Sequence, residues 1–480
     1  LSELLPAGGG GKNVSFVANG ILPNGQAVVL KSNGQVEAIT GTADNIPAGS
    51  EVIFNAGTTY YLSSSFDPNT ANKLVVTYVD NGNSLYGTAV IGTLSGTSIS
   101  FGSEYVFNSG ATENTTVSFD PNTAGKFVVA YKDSDNSNYG TAIVGTVSGT
   151  SISYGSETVF ASASTASTVI SFDPNTANKF VVAYKDSANS HSGTIIVGIV
   201  SGTSLSFGSE VVFNAGVSGD TNVAFDPNTA NKFVLVYQDR ANSEKGTGVV
   251  GTVSGTSISF GSEYIFNTGN LDSIALSFDP NTANKFVVAY RPQGNSYYGT
   301  ACIGIISGTS IAFGSEYVFN SENSPTISVA FDPSTANKFA IAYKDQGNSS
   351  YGTTSIGTVS GTSLSFGSKA VFNSASFTNA PIAFDPNTAG KFVIAYGDNG
   401  NSAYGTAIVG VVGATNLTST NFLGITDSAI SSGAAGKVTI KGGLKTGLAG
   451  GTFAVTVTNP GSGNRYYING VLQYTLNLRE

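Results

Sequence analysis

A chain of 480 residues with 11% charged residues, 60 glycines, 22 tyrosines and 29 phenylalanines suits many short strands joined by tight turns and gives long helices little to work with. The net charge of −9 forms no basic stripe that could follow a phosphate backbone, so a nucleic-acid partner is not expected. No apolar run reaches the ~20 residues of a bilayer-spanning helix, and the start, Leu1-Ser-Glu-Leu-Leu-Pro, lacks the basic and apolar regions of a secretion signal.

Residues 1–45 read as an N-terminal arm followed by a β-hairpin module. Lys12 to Thr40 forms three short strands, with Pro23-Asn24-Gly25 and Ser32-Asn33-Gly34 as turns, because such Asn-Gly pairs favour tight hairpins.

Residues 46–419 form a repeat array. The tripeptide Phe-Asp-Pro recurs with its aspartate at Asp67, Asp120, Asp173, Asp226, Asp279, Asp332 and Asp385, in steps of 53 without insertion. Each unit reads as four strands. Around Asp120, Thr116–Phe119 is a short inner strand, and Asp120-Pro-Asn-Thr-Ala-Gly125 is a turn in which Pro fixes φ and Asp bonds nearby amides. The apolar run Lys126–Tyr131 suits a second strand covered on both faces. A polar loop, 132–138, leads to a third strand, Tyr139–Val147. The turn Ser148-Gly-Thr-Ser151 then opens the mixed outer strand Ile152–Phe160. Four antiparallel strands per unit, repeated seven times, predict the blades of a β-propeller, with the seven aspartates as structural turn residues.

Gly-Ser-Glu begins at Gly49, Gly102, Gly155, Gly208, Gly261 and Gly314, with Gly-Ser-Lys at Gly367. The copy at Gly49 precedes the first Phe-Asp-Pro, and the last unit lacks an outer strand of its own. Residues 46–54 are therefore expected to complete the seventh blade. The expected fold is all-β, a closed seven-bladed propeller whose ring leaves no open edge. Beyond it, residues 420–443 show the hairpin style of the N-terminal module and are expected to pack with it. Residues 444–480 read as a C-terminal β module, cut in mid-strand at Glu480.

On one face of such a ring the 1–2 and 3–4 turns are nearly constant. On the other lie the 2–3 loops and the connections to the next blade (109–114, 161–166, 215–220, 268–272 and 321–325), which vary. Every 2–3 loop holds an Asn-Ser pair, and in five copies a tyrosine follows. Asn83 and Tyr86, Asn136 and Tyr139, Asn295 and Tyr298, Asn348 and Tyr351, and Asn401 and Tyr404 are the candidate ligand-binding residues. Amides and stacking rings suit a glycan. The competing role is to shape the turn and pack on the next blade.

Asp133-Ser-Asp-Asn-Ser has some likeness to a calcium loop but lacks the full ligand series with its bidentate Glu, so no metal is expected. Cys302, the one cysteine, sits in a strand pattern and reads as a packing residue. The single histidine, His191, cannot build a triad or a multi-His metal site. The array holds only two arginines, Arg240 and Arg291, against the three that grip the substrate carboxylate in propeller sialidases. The chain therefore reads as non-enzymatic, with no cofactor.

Ser2-Glu-Leu-Leu-Pro with its glycine run, Asn24-Gly-Gln-Ala-Val-Val-Leu, Asn421-Phe-Leu-Gly-Ile-Thr and Gly463-Asn-Arg-Tyr-Tyr-Ile-Asn-Gly-Val-Leu-Gln473 resemble flanks of virion structural proteins from marine tailed phages of the cyanophage type. The resemblance implies a tail-fibre or appendage protein in the virion, assembled in the host cytoplasm and acting outside the cell. Implied partners are other virion proteins, further copies of the chain and a host-surface glycan or receptor. The alternatives are a capsid or neck decoration protein and a bacterial lectin-like surface protein. A glycan-cleaving enzyme would need two carboxylates converging on one pocket.

Overall fold

The computed structural model describes residues 12–22, 27–30, 34–38, 44, 46–413, 422–426, 431, 434–440, 464–468 and 471–476. The arm over 1–11, Asn24, Asn421, the stretch 444–463 and the chain end at Glu480 lie outside the described residues. The chain divides into two units, one over 44–412 and one combining 1–43 with 413–480.

The larger unit is built from antiparallel strands in seven copies of one pattern. In the copy around Asp120 the second strand, Lys126–Asp133, pairs with the inner residues Thr112–Phe119 on one side and with the third strand, Tyr139–Ser148, on the other. The outer strand comes in two pieces. Ser151–Tyr154 pairs with Gly145–Ser148, and after 155–157 the chain resumes pairing with Tyr139–Ala142.

The break between the two pieces explains Gly-Ser-Glu. A Cβ on Gly155 would sit 1.9 Å from the Thr203 carbonyl oxygen of the next unit, so that approach admits only glycine. Two residues on, Glu157 accepts a hydrogen bond from the buried Tyr131 hydroxyl at 2.8 Å. Phe-Asp-Pro is equally local in its reasons. Asp120 is fully buried; its Oδ1 accepts from the Asn122 N–H (2.9 Å), while the equivalent Asp67 offers Oδ2 to the Gly125 N–H of the next unit (2.9 Å). The alternation of Asn and Gly at position 125 and its counterparts follows from a left-handed backbone, with φ between 61° and 69° at Asn72, Gly125, Asn178, Asn231, Asn284, Asn337 and Gly390.

Packing is between units rather than within them. Alternate residues of each second strand point to opposite neighbours: Phe127, Val129 and Tyr131 face Val75, Ala89 and Ile91 of the preceding unit, whereas Val128 and Ala130 face Phe180 and Val182 of the following one. That is why this strand is apolar on both faces. Seven such clusters occur among the described residues, and one joins Val393, Ala395, Ala407 and Val409 of the last unit to Leu74, Val76 and Tyr78 of the first. Inner strands have a free edge, which neighbouring serines cover: Ser65 Oγ accepts from Phe119 N–H (3.2 Å) and Ser277 Oγ from Phe331 N–H (3.0 Å).

The N-terminal strand Val52–Phe66 belongs to both ends of the array. Its first half pairs with Tyr404–Ala407 and its second half with Lys73–Asp80. Glu51 accepts from Tyr396 (2.7 Å), and Asn387 donates to the Pro68 carbonyl (3.3 Å), as Asn69 does to that of Pro121 (3.1 Å). The array ends at Val412, whose N–H bonds the Gly390 carbonyl (2.7 Å).

In the smaller unit five strands form one sheet in the order 12–17, 435–440, 422–426, 27–30, 36–38, so segments from both chain ends share it. Val28 and Val36 are buried there. A separate hairpin pairs Asn464–Ile468 with Val471–Leu476.

Candidate functional site: the face of the 2–3 loops

Six of the seven 2–3 loops start from an aspartate that ends the second strand; in the fifth copy Pro292 takes its place. Asp80 is buried and its Oδ1 caps the loop by accepting from Gly82 N–H at 2.9 Å; Asp186, Asp345 and Asp398 do the same at 2.9, 3.2 and 2.9 Å. The carboxylate is thus committed to the backbone, as an Asx turn requires. Among the described residues no group of three or more His, Cys, Asp or Glu is placed to hold a metal ion.

Asn-Ser closes the turn. In five loops the asparagine is the last residue of a single 3-10 turn, Asn81–Asn83 being the first, and the serine after it is left-handed. The turn-shaping role is therefore real, but it is performed by main chain. The side-chain amides of Asn83, Asn136, Asn295, Asn348 and Asn401 are exposed and make no hydrogen bond among the described residues. Three residues further, Tyr86, Tyr139, Tyr298, Tyr351 and Tyr404 are half-buried at the start of the third strand. The structure brings each Asn–Tyr pair together on its own loop. It does not gather the five pairs into one pocket.

The residue between the pair escapes a reading based on constancy. Leu85, Asn138, His191, Glu244, Tyr297, Ser350 and Ala403 occupy one position, all with φ between 58° and 64°. A left-handed non-glycine costs energy, yet here seven different side chains accept it. His191 thus corresponds to Leu85, and Ser192, not His191, to Tyr86. The signal was present as seven unlike residues, each following a constant Asn-Ser pair.

The connections to the next unit were expected to be loops, and this is corrected by the structure. Tyr105–Phe119, Thr158–Phe172 and Val211–Phe225 are unbroken strands that leave one sheet and enter the next. The change of direction is taken up by a bulge, between Glu113 and Thr116 in one case, with Asn114 left-handed. Buried Asn108 fastens the crossover by donating to Thr112 Oγ1 (3.1 Å) and Asp133 Oδ1 (3.4 Å). Breaks appear in the later copies, at 268–270, 324–327, 374–376 and 379–381.

Both arginines of the array are held by neighbouring side chains. Arg291 makes a two-pronged ion pair with Asp272 through Nε (2.6 Å) and Nη2 (2.5 Å). It also donates to Asn323 Oδ1 (2.9 Å) and lies 5.0 Å from the Tyr297 ring centre. Arg240 is held by Gln238 Oε1 (3.0 Å). Cys302 is fully buried, and desolvation pushes its thiol up to about 12, which suppresses the thiolate a nucleophile needs.

No family model matches the chain, and no curated protein matches it. Among solved structures, the BP39L lectin from Burkholderia pseudomallei is similar at 11% identity with a TM-score of 0.55, over 76% of this chain and 99% of the lectin. Sqt1 from Saccharomyces cerevisiae is similar at 11% identity with a TM-score of 0.46, over 75% of this chain and 98% of that one. Sqt1 from Chaetomium thermophilum gives 9% and 0.48 over 75% and 96%. The likeness to BP39L supports a propeller-like all-β fold.

Proposed function

We propose that the chain is a closed seven-bladed β-propeller that binds carbohydrate without cleaving it, through the Asn–Tyr loops of one face. The observation that carries this reading is the set of five exposed asparagine amides with no hydrogen bond among the described residues, each three positions before a half-buried tyrosine. An amide offers a donor and an acceptor to vicinal hydroxyls, and a tyrosine face stacks on the apolar side of a sugar ring. Similarity in fold to a lectin supports the ligand class. The pairing of Val52–Thr58 with Tyr404–Ala407 supports closure.

Five like sites on one rigid scaffold bind weakly one by one and strongly together, which fits a surface displaying many copies of a glycan. With flanks that resemble phage appendage proteins, the reading extends to attachment to a host cell surface, in association with other virion proteins and further copies of the chain. The test is a glycan array probed with the full chain and with a variant carrying Tyr→Ala at 86, 139, 298, 351 and 404. Retention on a restricted set of glycans, reduced at least tenfold in the variant, is expected. Equal retention by a folded variant would remove the loops from the account.

A further inference from the structure

Lys369 breaks the repeat at a position that holds glutamate in the six other copies. Its Nζ turns to Asn320, lying 2.5 Å from Oδ1, and also stands 3.2 Å from Oδ2 of Asp345. One copy earlier the same two positions are Asn267 and Glu316, and there the amide donates to the carboxylate at 2.7 Å. One change of residue has therefore set a primary amine against a carboxamide. The amide–carboxylate half of the arrangement is repeated without an amine, with Asn108 donating to Asp133 (3.4 Å) and Asn214 to Asp239 (3.3 Å).

The geometry is that of a poised reaction. Asn320 and Asp345 are both buried, at 1% and 3% exposure. Asn320 Nδ2 donates to Ser324 Oγ (2.8 Å) and to Asp345 Oδ1 (3.1 Å). With Oδ1 facing Lys369, every polar position of the amide is engaged and its plane is fixed. A C=O bond is about 1.2 Å long, so Nζ lies within about 3.7 Å of Asn320 Cγ. Reacting atoms held ready for attack stand ~3–3.5 Å apart. Asp345 touches both nitrogens, the one placed to attack and the one placed to leave, where a general acid–base must stand. The lysine side chain is 43% exposed, which leaves a way out for ammonia.

We infer that Lys369 and Asn320 join in an intramolecular amide bond, with Asp345 as the catalytic acid and base. Nζ gives a proton to Asp345 Oδ2, and the freed lone pair attacks Cγ. The Cγ–Nδ2 bond then breaks as the carbonyl re-forms. Of the three protons of the lysine ammonium, one stays on the new amide and two pass by way of Asp345 to Nδ2, which leaves as ammonium. Nothing is oxidised and no co-reactant is consumed. The bond links the strand Tyr317–Asn323, paired with Tyr298–Ala301, to the start of Ala370–Asn373, paired with Gly352–Thr354 of the next sheet. The crossover between these two sheets is broken at 324–327, so the covalent tie falls where the ladder is interrupted. The inference does not rest on sugar binding.

The experiment is intact-mass spectrometry of the purified, denatured full chain, with a proteolytic digest to locate the link. The wild type is expected to be lighter than its sequence by one ammonia, about 17 Da, and to release a branched peptide joining the segments around Asn320 and Lys369. Lys369→Arg keeps the charge but offers no nucleophilic amine, and it is expected at full sequence mass. Asp345→Asn removes the acid–base group, and on the order of a tenth of its molecules or fewer are expected to carry the bond. A wild-type chain at full mass, an ammonia loss that persists in Lys369→Arg, or a bond as complete in Asp345→Asn as in the wild type overturns the inference. Should Asp345→Asn fail to fold, Lys369→Arg and the branched peptide decide it.

Discussion

Tyr131 and Glu157 are 26 positions apart, and their side chains meet at 2.8 Å. The same pair recurs in Tyr78–Glu104, Tyr184–Glu210, Tyr237–Glu263, Tyr290–Glu316 and, across the chain ends, Tyr396–Glu51. In the remaining unit Lys369 takes the glutamate's place and bonds Asn320 Oδ1 and Asp345 Oδ2 (3.2 Å), so the buried Tyr343 hydroxyl lacks the carboxylate acceptor of the other copies and has Ser355 beside it instead. A hydrogen bond to a charged group is worth roughly 1.5–3 kcal/mol, and a partly exposed ion pair about 0–1 kcal/mol. Lys369→Glu is therefore expected to be about 1 kcal/mol more stable in urea unfolding than Lys369→Arg, which likewise forms no amide; a lower stability would contradict this account of the pair. Gly-Ser-Lys stood out in the sequence as the odd copy. Its consequence was hidden, because periodicity does not show which side chains meet across a sheet.

These tyrosines also govern the alkaline limit. Burial first, then the neighbouring glutamates, raise the hydroxyls of Tyr78 and Tyr131 far above their ordinary value, and burial raises Tyr184, Tyr237, Tyr290, Tyr343 and Tyr396 likewise. Protons are then held more tightly in the folded state than in the unfolded one. The stabilising effect is complete below the unfolded value near 10 and is lost as pH rises above it, by about 1.4 kcal/mol per pH unit for each tyrosine. A steep cooperative unfolding just above pH 10 is expected. It should be followed by circular dichroism, with the tyrosinate absorbance of the buried group appearing in step. Smooth titration of all tyrosines near 10 in an intact fold would contradict the burial.

At the scale of the strand, the third strand carries a glycine wherever a phenylalanine of the second strand crosses it. A Cβ on Gly145 would fall 2.1 Å from Phe127 Cζ, and one on Gly198 the same distance from that of Phe180. The rings lie flat on bare backbone, and both phenylalanines are fully buried. Gly145→Ala must displace Phe127, and overpacking of this kind costs about 1–3 kcal/mol; an unchanged unfolding midpoint would show that the ring has room to move. The four strands of each unit were legible because turn residues bracket runs of distinct polarity. The crossovers were not. Small polar residues such as Ser109-Gly-Ala-Thr are loop-like in composition, whereas the actual ladder continues through them, with Ala111 opposite Tyr86 and Thr112 opposite Asp133.

For the molecule as a whole, the exact 53-residue period carried the architecture, since equal units can bury their apolar faces only against one another. The candidate site was legible as Asn83, Tyr86 and their counterparts, because polar and aromatic residues repeat there without a core pattern to explain them.

The central claim is that one face carries five equivalent sugar sites, set by the repeat. Native mass spectrometry of the full chain, titrated with a glycan retained on the array, tests it most directly by counting bound molecules. Stepwise filling up to five, with similar affinity at each step, is the predicted result. Saturation at a single glycan, with no further binding at higher concentration, would contradict it.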